Sequence, residues 1–154
     1  EDIIGFDSNY KVSPPLRTKA DAKALIKGVK DGVIDAVVSQ HTPQEIEFKN
    51  VEFHIAKEGI LGLQTVLPFL VKAGLQAEEI VYKLAIRPRQ IVGKKVPTLL
   101  EGSLANLVIF SLDEKWVYSV QTNKSKSANS PVFGEELIGK VKAVINHGQL
   151  VENY

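Results

Sequence analysis

The stretch Val33–Thr65, VIDAVVSQHTPQEIEFKNVEFHIAKEGILGLQT, decides how the chain is read. It opens on a short apolar run, Ile34 to Val38, that breaks at Ser39-Gln40-His41-Thr42-Pro43. A long loop then leads to Gly59-Ile60-Leu61-Gly62-Leu63. A buried parallel strand reads as a continuous apolar run, because helices cover both faces of its sheet. When such a run ends in a polar turn, the pattern fits the mouth of an α/β barrel, where chemistry gathers at the strand ends. A strand is therefore predicted over Ile34–Val38, with a candidate site in the loop that follows.

Working outward, residues 1–12 read as extended or loop-like, and Pro14-Pro15 excludes helix while holding Ser13 extended. Thr18 is a candidate N-cap with Asp21 three residues on, and Ala22, Leu25, Ile26 and Val29 recur at helical spacing. Gly32 closes that helix, so helix and strand make one αβ unit. On the other side, Leu63, Val66, Leu67, Leu70 and Val71 predict a buried helix over Gly62–Ala73, stopped by Gly74. Pro68 should kink it or shift its start. A second helix is predicted over Ala77–Leu84, ended or interrupted by Pro88. From Gly93 the chain turns to β-type runs, Asn106–Phe110, Trp116–Val120 and Val141–Ile145, separated by Gly, Asn and Ser clusters. The domain boundary is placed between Gly93 and Pro97, giving residues 1–93 and 94–154.

The 154 residues suffice for one ordinary domain, and 44% hydrophobic content is enough for a core. The 19 basic and 18 acidic residues leave a formal charge of +1, which points to neither nucleic acid nor an anionic membrane as partner. With no cysteine there is no disulfide and no thiolate metal site, and a cytoplasmic setting is favoured. No apolar run reaches the roughly 18 residues of a membrane helix. The chain holds no Met, which is expected of a segment that begins inside something longer.

The motifs resemble those of dihydroorotases, metal-dependent members of the amidohydrolase superfamily. Their last barrel strand ends in Thr-Asp-His-Ala-Pro-His, followed by a Lys and a Gly-Leu-Glu-Thr turn. Here the corresponding residues are Ser39-Gln40-His41-Thr42-Pro43-Gln44, Lys49 and Gly62-Leu63-Gln64-Thr65. Lys11-Val12-Ser13-Pro14-Pro15-Leu16-Arg17 is similar to the family's Lys-Val-Asn-Pro-Pro-Leu-Arg segment at the end of the seventh strand. Gly102–Val108 and Ser125–Gly134 resemble its Gly-x-x-Ala-Asp-Leu-Val strand and Ser-Lys-x-x-Asn-x-Pro-Phe-x-Gly turn. The resemblance runs from about Asp7 to Val151. It implies an α/β fold: the C-terminal portion of a TIM-type (β/α)8 hydrolase barrel in 1–93, and part of the small amidohydrolase β-sandwich in 94–154. Eight strands close such a barrel and two are visible, so the N-terminal half of the same protein is an expected partner. Alone, the segment is expected to aggregate or stay molten.

The resemblance also implies roles. Gln40 stands at the position of the family's catalytic Asp, a metal ligand and proton carrier. Ser13 and Gln44 stand where an Asn and a His bind the substrate carboxylate, and Glu58 sits beside Gly59 where an apolar residue usually touches substrate. Gln40 has no charge and is no useful base near neutral pH, and Glu58 repels an anion. The family uses zinc, but its His-x-His pair, modified Lys and further His ligands lie upstream, so no metal is expected from this chain alone.

Blander readings stand beside these. His41 reads as a structural, hydrogen-bonded residue, and His54 and His147 are spaced too irregularly to join it at a metal. Arg17 either holds an anion through its fork or makes a salt bridge. Lys49 reads as a loop anchor. Gln40 and Gln44 can hydrogen-bond each other and nearby backbone. Lys124 and Lys126 read as a flexible, solvated basic turn. Gly59, Gly62 and Gly93 lack the Gly-Lys-Ser/Thr of a phosphate loop.

Two functions remain in view. The first is a dihydroorotase-like enzyme of pyrimidine biosynthesis, hydrolysing a cyclic amide between dihydroorotate and N-carbamoyl-aspartate and impaired by Gln40. The second is a non-catalytic homologue, a pseudoenzyme, that scaffolds aspartate carbamoyltransferase. A second copy in a homodimer is a further expected partner.

Overall fold

The computed structural model describes residues 5–153. Its elements in chain order are a 3-10 turn at Ser8–Tyr10, then α1 (Lys19–Lys30), α2 (Ile46–Lys49), α3 (Val66–Lys72), α4 (Ala77–Val81) and α5 (Arg87–Ile91). Strands β1 (Leu107–Val117), β2 (Glu136–Asn146) and β3 (Gln149–Glu152) complete the order. The chain forms two compact units from interleaved segments. The first takes the segment up to Gly28, Val38–Val66 and Val117–Glu136; the second takes Val29–Val37, Leu67–Trp116 and the segment from Leu137 onward.

In the first unit the capping pattern of Thr18 and Asp21 starts α1. The Asp21 carboxylate accepts from the Thr18 backbone N–H at 3.1 Å and from its hydroxyl at 2.8 Å, while the Asp21 N–H donates to the Thr18 hydroxyl at 3.2 Å. Two of the N–H groups that helix formation would strand are satisfied this way. Arg17 lies 3.8 Å from the Asp21 carboxylate, an ion pair in which the Arg17 side chain is 70% exposed.

The second unit is built on Val29, Leu67, Leu75 and Ile80, with Ile34 and Val37 packed against them. The expected strand Ile34–Val38 is not formed among the described residues, because a parallel strand needs ladder neighbours. The extended run is held instead by a bond from the Val37 N–H to the Lys83 carbonyl at 3.0 Å and by the Lys83 ammonium on the Ile34 carbonyl. Nearby Val33 remains 80% exposed.

The proline expectations are refined. Pro68 sits in the first turn of α3, where a missing N–H costs nothing, so the helix begins at Val66 and not at Gly62. Pro88 does not end the second helix. The helix widens into a π-turn over Tyr82–Ile86, in which the Arg87 N–H reaches the Tyr82 carbonyl, and then runs on through α5. The Arg89 guanidinium donates to the Ala85 carbonyl at 2.8 Å.

The three strands form one sheet in the order β1-β2-β3. The expected strands Asn106–Phe110 and Trp116–Val120 are corrected: β1 is continuous across Ser111–Lys115 and stops at Val117. There the Thr122 hydroxyl donates to the Val117 carbonyl at 2.8 Å and accepts the Ser119 N–H at 2.9 Å, folding Ser119–Thr122 into a turn. Val141–Ile145 lies within β2 as expected. Strand β3 was not anticipated. It pairs antiparallel with β2, Asn146 opposite Gln149, across a two-residue loop in which His147 (φ 49°) and Gly148 (φ 79°) are both left-handed. That is the backbone of a type I′ hairpin turn.

Candidate functional site

The polar loop after Val38 is held by a second strand-like segment. His41 bridges Ile60 in parallel fashion, and the Thr42 N–H donates to the Ile60 carbonyl at 2.9 Å. Two glycines allow the approach. A Cβ on Gly62 would overlap the Ser39 carbonyl oxygen, and one on Gly59 (φ 139°) would lie 2.7 Å from the Thr42 oxygen. His41 closes the turn: its Nδ1 accepts the N–H groups of Gly62 at 3.2 Å and Leu63 at 3.4 Å. An acceptor at Nδ1 places the ring proton on Nε2, so this histidine is structural, as its sequence context indicates.

Gln40 adopts a left-handed backbone (φ 44°), a conformation that costs a non-glycine residue about 1–2 kcal/mol. Such strain persists where surroundings over-determine the residue, and it concentrates at functional loops. Its amide N–H donates to the Ser13 carbonyl, joining the end of the Lys11–Arg17 segment to the polar loop. Gln44 does the equivalent further on: its amide donates to the Glu58 carbonyl at 2.8 Å. The Gly59 N–H in turn donates to the Lys11 carbonyl at 3.0 Å. Ser13, Gln40, Gln44, Glu58 and Gly59 are thus tied into one frame within the first unit. The two glutamines bond separate carbonyls of the backbone.

Lys49 is the buried centre of this frame, only 5% exposed. Its ammonium donates to the carbonyls of Lys57 at 3.0 Å, Gly59 at 3.1 Å and Lys11 at 3.5 Å, and the Ser8 hydroxyl bonds the Lys49 carbonyl. Burial pushes its pKa below the usual 10.5, with Asp7 opposing and Lys11 adding to the shift. A cation saturated by three carbonyls is a loop anchor and not a nucleophile.

Two residues of the frame stand in the matched motifs but were given no role from the sequence. Asn129, 4% exposed, donates to the Thr42 carbonyl at 3.1 Å and accepts the Gln44 N–H at 3.0 Å, while its own carbonyl accepts the Leu61 N–H at 3.1 Å. Gln64 donates to the Thr122 carbonyl at 2.9 Å and accepts the Lys124 N–H at 2.6 Å. With Asn123 bonding the Ser125 and Ser127 carbonyls, the Lys124–Lys126 turn is fastened, and its two lysines are exposed. The available signal for Asn129 was its place before Pro131 in the Ser125–Gly134 motif.

A cavity of about 350 Å³ borders Asp7, Ser8, Gln44, Lys49 and Asn129. No group of three His, Asp or Glu side chains converges as metal donors among the described residues. The loop does not fit a zinc ion: His41 spends Nδ1 on backbone, and Gln40 and Gln44 are neutral. Nor is any helix among these residues long and apolar enough to cross a membrane.

The chain is 44% identical over 149 residues to a dihydroorotase of Ruminiclostridium cellulolyticum, a match covering 94% of this chain and 35% of that protein. It is 41% identical over 157 residues to a dihydroorotase of Caldicellulosiruptor saccharolyticus, covering 99% of this chain and 36% of the relative. The chain belongs to the dihydroorotase family. It spans about a third of the length of these curated relatives. No family model matches it. Among solved structures, an L-hydantoinase (dihydropyrimidinase) from Arthrobacter aurescens is similar at TM-score 0.86 and 27% identity, over 99% of this chain and 36% of that one. A D-hydantoinase (dihydropyrimidinase) from Thermus sp. shares the fold at TM-score 0.79 over 95% of this chain and 34% of its own. The family assignment and the hydantoinase likeness agree on the amidohydrolase superfamily.

Proposed function

We propose that this dihydroorotase-family chain supplies the substrate-facing loops of a cyclic-amide hydrolase whose proton-transfer step is impaired at Gln40. In the whole protein, residues 1–93 then complete a (β/α)8 barrel and 94–154 part of a small β-sandwich. The observation that carries the reading is the Gln40 amide donating to the Ser13 carbonyl. Hydrolysing a cyclic amide needs a group that takes a proton from water and returns it to the leaving nitrogen. A carboxamide has no basic lone pair for this, and Gln40 already spends an N–H on backbone. Removing a general base costs roughly 10²- to 10⁴-fold in rate. The residues described here orient and enclose.

The test is ring opening of dihydroorotate by the full-length protein and its Gln40→Asp variant. The expected result is slow turnover by the parent and a gain of about 10²-fold or more in the variant. Turnover by the parent that Gln40→Asp leaves unchanged overturns the reading. The missing base at Gln40 is also compatible with a second reading, a non-catalytic homologue that scaffolds aspartate carbamoyltransferase. Co-purification with that transferase, with no ring opening by parent or variant, moves the assignment there.

A further inference from the structure

We infer that Gln64 is a positioning residue: through its side-chain amide the turn over 119–127 holds the segment that carries the partners of His41, and with them the direction of the polar loop. This role concerns how the loop is held, and it is independent of the chemistry proposed at Gln40.

The turn is stiff in its own right. The Thr122 hydroxyl closes it onto Val117 and Ser119. The Asn123 side chain fills its middle: Oδ1 accepts the Ser125 N–H at 3.0 Å and the Tyr118 hydroxyl at 3.2 Å, while the NH₂ donates to the carbonyls of Ser125 at 3.1 Å and Ser127 at 2.8 Å. At its base Tyr118, 1% exposed, meets the Phe133 ring edge-on. A polar network satisfied in this way is rigid and moves as one piece.

Gln64 is where that piece meets the segment 59–65. Its NH₂ donates to the Thr122 carbonyl at 2.9 Å and its Oε1 accepts the Lys124 N–H at 2.6 Å. One side chain thus bonds two main-chain groups of opposite polarity. An amide does this at any pH, whereas a carboxylate has no proton to donate. Immediately before Gln64, the N–H groups of Gly62 and Leu63 point at His41 Nδ1. A displacement of Gln64 therefore reaches His41 within two peptide units. This route from turn to loop runs beside the one through Asn129, which bonds Thr42 and Gln44 directly.

A coupling of this kind is established by perturbing one end and reading the other. The experiment is amide hydrogen exchange in the full-length protein, reading segments 39–44 and 119–127 in the parent, Gln64→Met and Gln64→Glu. Gln64 is half-buried, so both variants are expected to fold. Gln64→Met keeps the stem and removes donor and acceptor, and exchange is expected to rise about tenfold in both segments, the scale of one lost hydrogen bond. Gln64→Glu keeps the acceptor for Lys124 but sets a charge against the Thr122 carbonyl at about pH 7.5. Only its protonated form donates there. Protection in this variant, corrected for intrinsic exchange, is expected to be lost at about pH 7.5 and to recover at about pH 4.5, while the parent stays protected at both. Loosening of 119–127 with 39–44 unchanged makes Gln64 a fastener of the turn alone and overturns the inference. Equal exchange by Gln64→Glu at both pH values overturns it too, because the bond to Thr122 then carries nothing.

Discussion

Asn129 donates its side-chain amide to the carbonyl of Thr42, 87 residues earlier, at 3.1 Å. The same amide accepts the Gln44 N–H, so one buried side chain fixes both sides of Pro43 and with them the direction of the Gln40–Gln44 loop. Asn129→Ala leaves a partly buried carbonyl and a partly buried N–H without their protein partner, at up to about 1–3 kcal/mol each. The expected outcome in the full-length protein is a lower urea midpoint and faster proteolysis within residues 42–61. An unchanged midpoint and cleavage pattern would show that solvent replaces Asn129 without cost.

Lys49 makes a separate prediction, since its ammonium ties together three carbonyls from two segments. Lys49→Met keeps the length of the stem but removes every donor. Hydrogen bonds to charged groups contribute roughly 1.5–3 kcal/mol, so a loss of at least that size is expected on denaturant unfolding. Lys49→Arg should not rescue, because a planar fork does not fit carbonyls disposed around a point charge. Full stability in the Lys49→Met variant would refute the anchor role.

Sequence reading succeeded where the determinants are local. Thr18 and Asp21 are three residues apart, and the helix start they signal is the one observed. The polar loop was legible too, because apolar Ile34–Val38 ends abruptly at Ser39. The strand was not, since ladder bonds depend on neighbours and no spacing within the run reports them; Val38 is 76% exposed. Of the two alternatives at Pro88, the interruption is the one observed: the regular helix gives way to a π-turn over Tyr82–Ile86, in which the bond from Arg87 goes to Tyr82, and then runs on. Asn129 was hidden because its partners lie 85 and 87 positions away, and an Asn in a Ser-rich turn looks like turn chemistry alone. The Gln40 to Ser13 bond spans only 27 residues, yet nothing in either motif indicates that the amide would be spent on backbone.

The Asp21 cap gives a pH dependence. Hydrogen bonds from the Thr18 hydroxyl and backbone, with Arg17 assisting, hold its pKa below the ordinary 3.8. A depressed folded-state pKa means the unfolded chain binds the proton more readily. The contribution is therefore complete above the unfolded value and is lost as pH falls through the folded one. Thr18→Ala should flatten that part of the acid-unfolding profile below about pH 4, leaving the neutral-to-alkaline profile parallel to the parent's. A parent-like acid limb in Thr18→Ala would show that the cap bonds do not set this dependence.

Gly62 tests the closeness of the two loop segments. Its backbone angle is not the constraint; the constraint is the Ser39 carbonyl, which occupies the place where a Cβ would stand. Neither group can yield cheaply, because Gly62 also donates to His41 Nδ1 at 3.2 Å, and His41 is itself bridged to Ile60. Gly62→Ala must push the segments apart, at roughly 1–3 kcal/mol or more for overpacking. Gly5→Ala is the matched control, since nothing lies within 4 Å of the added methyl, and surface changes of that kind stay within about 0.5 kcal/mol. Denaturant unfolding of the two variants should separate them clearly. Displacement should also break the His41 acceptor geometry, so the His41 ring resonances in Gly62→Ala are expected to move while those of His147 stay fixed. Equal stability of the two variants would mean that Ser39 and Gly62 are not held as closely as the structure places them.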